Sequence, residues 1–261
     1  MPFVDNQGIK THYEIVGTGP PLLLHHGATH SSLSWHQFGF VDRLKDAYQL
    51  ILIDARGHGQ SDKPHDWEQY SDIHMARDVI ALLDHLDIER VNFWGYSMGG
   101  EVGYRLGIDY AQRLNTLVIG GAPPYIEPGD EGFKMMIDRF ERGAEQGNEA
   151  FIAERKARGG NVSPEDETRL RSLDLAAMAA VFRNADVEGC DFRNDLSTIT
   201  TPTLMYVGEA DEPTYSIIIQ YRDKLPNARL IVLPELDHMQ VNHASELIVP
   251  HVKEFLAQFS P

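Results

Sequence analysis

Val91-Asn92-Phe93-Trp94-Gly95-Tyr96-Ser97-Met98-Gly99-Gly100 decides how this chain folds. A mostly apolar run leads into a Gly-x-Ser-x-Gly pentapeptide, and a segment with helical character follows. The order predicted is a strand, a tight turn with a serine at its tip, then a helix. Such a turn pushes the serine out of the backbone and presents it for attack on a carbonyl. A serine hydroxyl is a weak nucleophile at its ordinary pKa. Chemistry at Ser97 therefore needs a base, and a third group to hold the base.

Working outward, other short apolar runs share the same plan. Leu22-Leu23-Leu24 ends at His25-His26-Gly27, and Tyr48 to Ile53 ends at Asp54-Ala55-Arg56-Gly57. Leu117-Val118-Ile119, Thr203 to Val207 and Leu230 to Leu233 follow. Continuous rather than alternating apolar runs predict strands covered on both faces. Phe3-Val4 and Thr11 to Ile15 flank Asn6-Gln7-Gly8, a predicted hairpin. Helices are expected over Trp35–Ala47, over 71–86, after Ser97, over Tyr215–Leu225, and in a final segment that runs to about Phe259. In 71–86, Ala76, Val79, Ile80, Leu83 and Leu86 recur at helical spacing, with Ser71 or Asp72 as cap. Pro250 belongs near the first turn of its helix or kinks it. Strands alternating with helices give the fold class α/β, a mostly parallel sheet flanked by helices.

From about Ala122 to Leu196 no strand-like run appears. Met135, Met136, Ile137 and Phe140 suggest one helix, and Leu170, Leu173, Leu175, Met178, Val181 and Phe182 another. Gly159-Gly160-Asn161 and Ser163-Pro164 punctuate between them. Residues 122–196 are thus expected to form a helical cap insertion in a core built from 1–121 and 197–261. An insertion at the carboxyl ends of the strands overlies the place where such sheets bind ligands. Tyr125, Met135, Met136, Phe140, Met178 and Phe182 are candidate pocket residues for an apolar acyl group. The methionines serve equally well as core filler.

Composition narrows the function classes. Of 261 residues, 42% are hydrophobic and 24% charged, as in soluble globular proteins. Lys and Arg number 23 against 39 Asp and Glu, a formal net charge of −16. That surface repels phosphate backbones and anionic headgroups, so neither nucleic acid nor a membrane is the expected partner. The single cysteine, Cys190, cannot form an internal disulfide. It has no base nearby in sequence to make it a nucleophile. Met1 to Asn6 does not have the pattern of a signal or transit peptide. No apolar run approaches the roughly 20 residues that span a bilayer. The expected location is the cytoplasm.

Val207-Gly208-Glu209-Ala210-Asp211 ends one strand and Leu236-Asp237-His238 follows the last, so Ser97, Asp211 and His238 each lie beyond the carboxyl end of a predicted strand. This arrangement resembles the α/β-hydrolase family over nearly the whole chain. The resemblance rests on His26-Gly27, on Asp54-x-Arg56-Gly57-His58-Gly59-x-Ser61-Asp62, on Gly95-Tyr96-Ser97-Met98-Gly99-Gly100, and on Asp211 and His238. Within the family the chain looks most like the capped esterase, enol-lactonase and perhydrolase-like branch.

A triad then implies Ser97 as nucleophile, His238 as base and Asp211 as the acid that holds the ring. Glu209, Glu212 and Asp237 are neighbouring alternatives for the acid. The place after the preceding strand, which some members use, reads Gly120-Gly121-Ala122 and offers no carboxylate. His243 and His251 are rivals for the base. The backbone N–H groups of Met98 and Ala28 would form the oxyanion hole, with His26 shaping the loop. His25 departs from the usual apolar residue, and its setting is open. His25, His26, His30 and His36 lack a tidy metal-binding spacing, so no metal is expected. Gly57 and Gly59 lack the lysine of a phosphate loop, and a tight turn is expected there. No cofactor is implied. Three functions remain: hydrolysis of a small carboxylic ester or lactone, carbon–carbon bond hydrolysis or perhydrolysis with the same triad, and a ligand receptor with vestigial turnover.

Overall fold

The computed structural model describes residues 2–159 and 162–259. Gly160 and Asn161, part of the expected punctuation, lie outside the described residues. Strands β1 (Phe3–Asn6) and β2 (Ile9–Val16) form a hairpin around Gln7-Gly8. Next come β3 (Pro21–His25), α1 (Ser32–Gln37), α2 (Phe40–Leu44), β4 (Gln49–Ile53), α3 (Asp72–His85), β5 (Val91–Tyr96), α4 (Met98–Asp109) and β6 (Leu114–Gly120). Between β6 and the next sheet strand lie β7 (Tyr125–Ile126), α5 (Glu131–Gln146), α6 (Asn148–Ala157), α7 (Pro164–Ser172), α8 (Leu175–Val187) and β8 (Cys190–Asp191). The chain closes with β9 (Thr203–Gly208), α9 (Thr214–Tyr221), β10 (Ala228–Leu233), α10 (His238–Asn242) and α11 (Ser245–Ala257).

The main sheet has eight strands in the order β1-β2-β4-β3-β5-β6-β9-β10. β2 runs antiparallel to β1 and β4, and every other pairing is parallel. The continuous apolar runs follow from cover on both faces. Leu23, Ile51, Ile53, Phe93, Leu117, Ile119 and Met205 pack with α3 and α4 residues such as Val79, Leu83, Val102 and Leu106. Their strand neighbours Leu22, Leu24, Leu50, Leu52, Trp94, Val118 and Leu204 pack with Trp35, Phe40 and Leu44 and with Val252 and Phe255 of α11. Successive side chains of a strand point to opposite faces, so each strand needs apolar residues at every position.

Several elements differ from expectation. The helix expected over Trp35–Ala47 is two short helices, because Gly39, at φ 79°, turns the chain between them. Residues 122–196 do contain strands: β7 pairs antiparallel with β8, Tyr125 opposite Asp191 and Ile126 opposite Cys190. Two residues per strand are too few for an alternating pattern to register. The two helices expected there are four. The run from Leu170 to Phe182 breaks at Leu173-Asp174, where the Asp174 carboxylate caps α8 by accepting the Ala177 N–H at 3.0 Å. Pro250 sits inside α11, in its second turn.

Trp94 ties the second core together. It meets Trp35, Phe40 and Tyr206 edge-on at 5.4–6.2 Å, and its indole N–H donates to the Tyr206 hydroxyl at 2.9 Å. Trp94→Ala should lower the unfolding free energy by about 3–5 kcal/mol, through the cavity it leaves. Urea denaturation checks this, and a loss below about 1 kcal/mol would mean that the core collapses around the gap.

Candidate active site

Ser97 stands between β5, fifth in the order of eight strands, and α4. Its backbone lies at φ 53°, ψ −119°, a region that non-glycine residues seldom occupy. The turn is over-determined by hydrogen bonds. The Ser97 N–H donates to the Gly120 carbonyl at 2.8 Å, and the Ser97 carbonyl accepts from Gly100 and Glu101 at 2.7 and 3.1 Å. Glycines flank it because there is no room for more. A Cβ on Gly95 would lie 2.0 Å from the Gly99 carbonyl oxygen, and one on Gly99 would lie 2.3 Å from that of His25.

His238 opens α10 just after β10. Its Nε2 lies 3.0 Å from Ser97 Oγ and its Nδ1 lies 2.7 Å from Asp211 Oδ2. Asp211, 6% exposed, follows β9. A carboxylate at Nδ1 accepts the ring N–H and so keeps the proton on that nitrogen, which leaves the Nε2 lone pair directed at the serine hydroxyl. The Tyr96 hydroxyl donates to the His238 backbone carbonyl and steadies the loop. The neighbouring acids are occupied elsewhere. Asp237 caps α10, accepting the Gln240 N–H at 2.8 Å, and Glu212 accepts the Ser216 hydroxyl at 2.7 Å. Glu209 Oε2 lies 3.4 Å from the Glu235 N–H. His243 stacks on Phe38 at 3.9 Å, and His251 lies along α11.

Ala28 and Met98 both border the cavity at Ser97. Met98 N–H is the first of α4, where the helix dipole favours negative charge. The loop bearing Ala28 presses on Ser97, since a Cβ on Gly27 would lie 3.1 Å from Ser97 Cβ. Buried imidazoles hold that loop. His26 Nδ1 donates to the Gly27 carbonyl at 2.8 Å, and its Nε2 accepts the Ala55 N–H at 3.1 Å. His58 Nδ1 donates to the Arg56 carbonyl at 2.9 Å, and its Nε2 accepts the Thr29 N–H at 3.2 Å. His30 Nδ1 donates to the Ala28 carbonyl at 3.0 Å. His25 is buried, with Nδ1 3.1 Å from the His26 carbonyl. Accepting an N–H requires a neutral ring. Burial supplies one, lowering His25 and His58 to about 4, His30 to about 3, and His26 well below the usual value.

The Asp54–Asp62 motif supports this loop from behind. Asp54 accepts the N–H groups of Ser32 and Gln60 at 2.7 and 2.9 Å, and Arg56 forms a buried two-pronged pair with Asp78 at 2.7 Å. A Cβ on Gly59 would lie 2.2 Å from the Asp54 carboxylate, an environment hostile to phosphate. His36 is turned toward Glu14 at 3.0 Å, away from the other three histidines of its cluster.

A cavity of about 570 Å³ opens over Ser97. Tyr125, Met136, Phe140 and Phe182 line it, and Phe140 stacks between Phe151 and Phe182 at 5.2 and 5.3 Å. Met135 and Met178 do not line it. Met135 is 55% exposed, because one residue along α5 from Met136 rotates the side chain about 100° to the outer face. Met178 has no exposed surface and belongs to the apolar core.

Among the cavity residues not foreseen from the sequence, Arg169 and Glu101 stand out. Arg169 of α7 reaches the Thr29 carbonyl at 2.9 Å and Asp166 at 2.8 Å. Thr29, at φ 64°, is itself a strained non-glycine residue next to Ala28. Only the folded chain brings Arg169 there. Glu101 lines the cavity four residues beyond Ser97 on α4. Burial and then Asp72 push its carboxyl up to about 7. A lone acid in a first helical turn passes for a dipole partner, which hides it.

The neutral histidines set an acid limit. Their folded pKa values lie below the unfolded value of 6.5, so the unfolded chain takes up protons that the native state refuses. The stability this represents is intact above 6.5 and is lost as pH falls toward 4, at up to ~1.4 kcal/mol per pH unit per ring. Glu101 acts in the opposite sense, one group against four. Urea midpoints should therefore drop steadily from pH 7 to 4.5, and a flat profile would contradict the assignment. Separately, if the Ala28 N–H is an oxyanion donor as the sequence resemblance implies, Arg169→Met should lower kcat about tenfold by misplacing it, with a smaller change in KM. Steady-state kinetics test it, and an unaltered kcat would reduce Arg169 to a surface tie.

The family model for the alpha/beta hydrolase fold matches residues 20–241. A non-heme haloperoxidase of Rhodococcus erythropolis is 30% identical, over 91% of this chain and 93% of its own. A 2-(acetamidomethylene)succinate hydrolase of Mesorhizobium japonicum is 26% identical, over 92% and 89%. Among solved structures, the enol-lactonase of Burkholderia xenovorans superposes with a TM-score of 0.82 at 23% identity, covering 98% of this chain and 100% of the other; this is a likeness of fold. With the sheet order and the turn at Ser97 already matching that architecture, the chain belongs to the α/β-hydrolase family.

Proposed function

We propose that this protein is a serine hydrolase that cleaves a small carboxylic ester or lactone through an acyl-enzyme. The observation that carries the reading is the line from Ser97 Oγ through His238 to buried Asp211, at 3.0 and 2.7 Å, on the wall of the cavity. Ser97 Oγ attacks the carbonyl carbon while His238 Nε2 takes its proton. The negative charge that develops on the carbonyl oxygen is received by the N–H groups of Ala28 and Met98. His238 returns the proton to the departing alkoxide. Water, deprotonated by the same ring, then attacks the acyl-enzyme and releases the acid. Asp211 holds the ring in the required tautomer and stabilises the imidazolium.

Residues 122–196 act in this reading as the cap that sizes the acyl group, through Tyr125, Met136, Phe140 and Phe182. The aromatic stack over the cavity supports a mainly apolar acyl chain.

The test compares p-nitrophenyl acetate and longer p-nitrophenyl esters in the wild type and in Ser97→Ala. Turnover should fall by a factor on the order of 10⁴ or more in the variant. Persistent turnover would refute the nucleophile. Turnover of a vinylogous diketone but of no ester would move the assignment to carbon–carbon hydrolysis. Binding without turnover of either would move it to a receptor. Phe182→Ala should extend the preferred acyl chain.

A further inference from the structure

Most charged side chains on the cavity wall have a partner. Asp211 is bound to His238, and Asp130 caps α5 through the Gly132 N–H at 2.7 Å. Arg169 is engaged by Thr29 and Asp166, and Asp72 by Arg105 at 2.9 Å. Glu127 and Arg155 are exposed. Glu101 is the exception: it is set into the wall, and its carboxyl has no hydrogen-bond or ion-pair partner among the described residues.

The groups acting on it sharpen the point. Asp72 approaches from α3 and adds a second negative charge; His238 acts from the catalytic side. Cys190 of β8 and Tyr104 of α4 also feel its charge, and both are pushed up by burial first. The Tyr104 hydroxyl donates to the Ala122 carbonyl, not to Glu101. Asp72 and Glu101 thus adjoin, and Arg105 pairs with Asp72 and Asp109 but not with Glu101. An unpaired carboxylate in a partly desolvated wall is a site that a cation would complete. Position gives the reach. The Glu101 N–H donates to the Ser97 carbonyl at 3.1 Å, so Glu101 stands one helical turn beyond Ser97, about 6 Å along the axis of α4, and both residues line the cavity.

We propose that Glu101 is a cation subsite that selects esters whose acyl chain ends in an ammonium group, about one helical turn beyond the scissile carbonyl. The proposal deepens the serine-hydrolase reading and rests on it. An acyl chain ending in a carboxylate would meet Glu101 and Asp72 and be rejected. An ammonium would gain the charge-assisted hydrogen bonds that this wall leaves unmade.

Four methyl esters of similar length separate the outcomes at pH 8: 6-aminohexanoate, heptanoate, 6-hydroxyhexanoate and the monoester of adipate. Wild-type kcat/KM should rank the ammonium ester first and the adipate monoester last, about 100-fold apart. Glu101→Gln should compress the ammonium-to-heptanoate ratio by about tenfold, and Glu101→Lys should reverse the order of ammonium and adipate esters. The ratios are internal to each preparation, and the wild-type ranking stands alone if a variant fails to fold. An ammonium ester no better than heptanoate would overturn the proposal, as would a hydroxyl ester equal to it. Both results leave the hydrolase reading intact, because heptanoate is turned over. Turnover of no ester, p-nitrophenyl esters included, would overturn both.

Discussion

The conformation of Ser97 is the constraint on which the rest depends. A residue at φ 53°, ψ −119° stores roughly 1–3 kcal/mol of backbone strain, and it persists only where its surroundings leave no alternative. β5 and α4 meet here at close to the minimum separation two backbones allow, as the absent side chains of Gly95 and Gly99 show. Strand β3 closes the third side through the His25 carbonyl. A parallel sheet covered on both faces is stiff enough to hold such a turn, which ties the two apolar cores to the geometry of one hydroxyl.

A second layer of order lies behind the site. His26 and His58 each donate through Nδ1 to one carbonyl and accept an N–H at Nε2. A lysine or arginine could not accept, and a carboxylate could not donate while ionised. Imidazole satisfies both sides only while neutral, so burial is part of its function as a structural bridge. The loop from Gly27 to His30 is therefore held by side chains from a distant stretch of sequence, the Asp54–Asp62 motif, rather than by regular secondary structure.

Much of the architecture was legible because its signals are local. The strand, turn and helix around Ser97 are consecutive, and the apolar runs need no tertiary knowledge to be recognised. The positions of Asp211 and His238 could be read from their places after β9 and β10. What escaped depends on packing. The pair β7 and β8 joins residues more than sixty positions apart with only two residues in each strand. The contact of Arg169 with Thr29 spans 140 residues. Met135 and Met136 are indistinguishable by composition, and only the rotation of α5 about its axis sends one outward and the other to the cavity. Glu101 was visible as a residue but not as an unpartnered charge, since partners belong to the folded chain.

The acidic character of the cavity wall bears on the end of a catalytic cycle rather than its start. Any reaction at Ser97 that converts a neutral acyl group into a free carboxylate creates an anion in a cavity whose wall also carries Asp211 and Glu101. The protein around it carries a formal net charge of −16. Repulsion at that moment favours departure, and the field outside continues to draw the product away. Under the proposed hydrolase reading, the wall would act as an electrostatic valve, open to neutral or cationic molecules on the way in and biased toward anions on the way out.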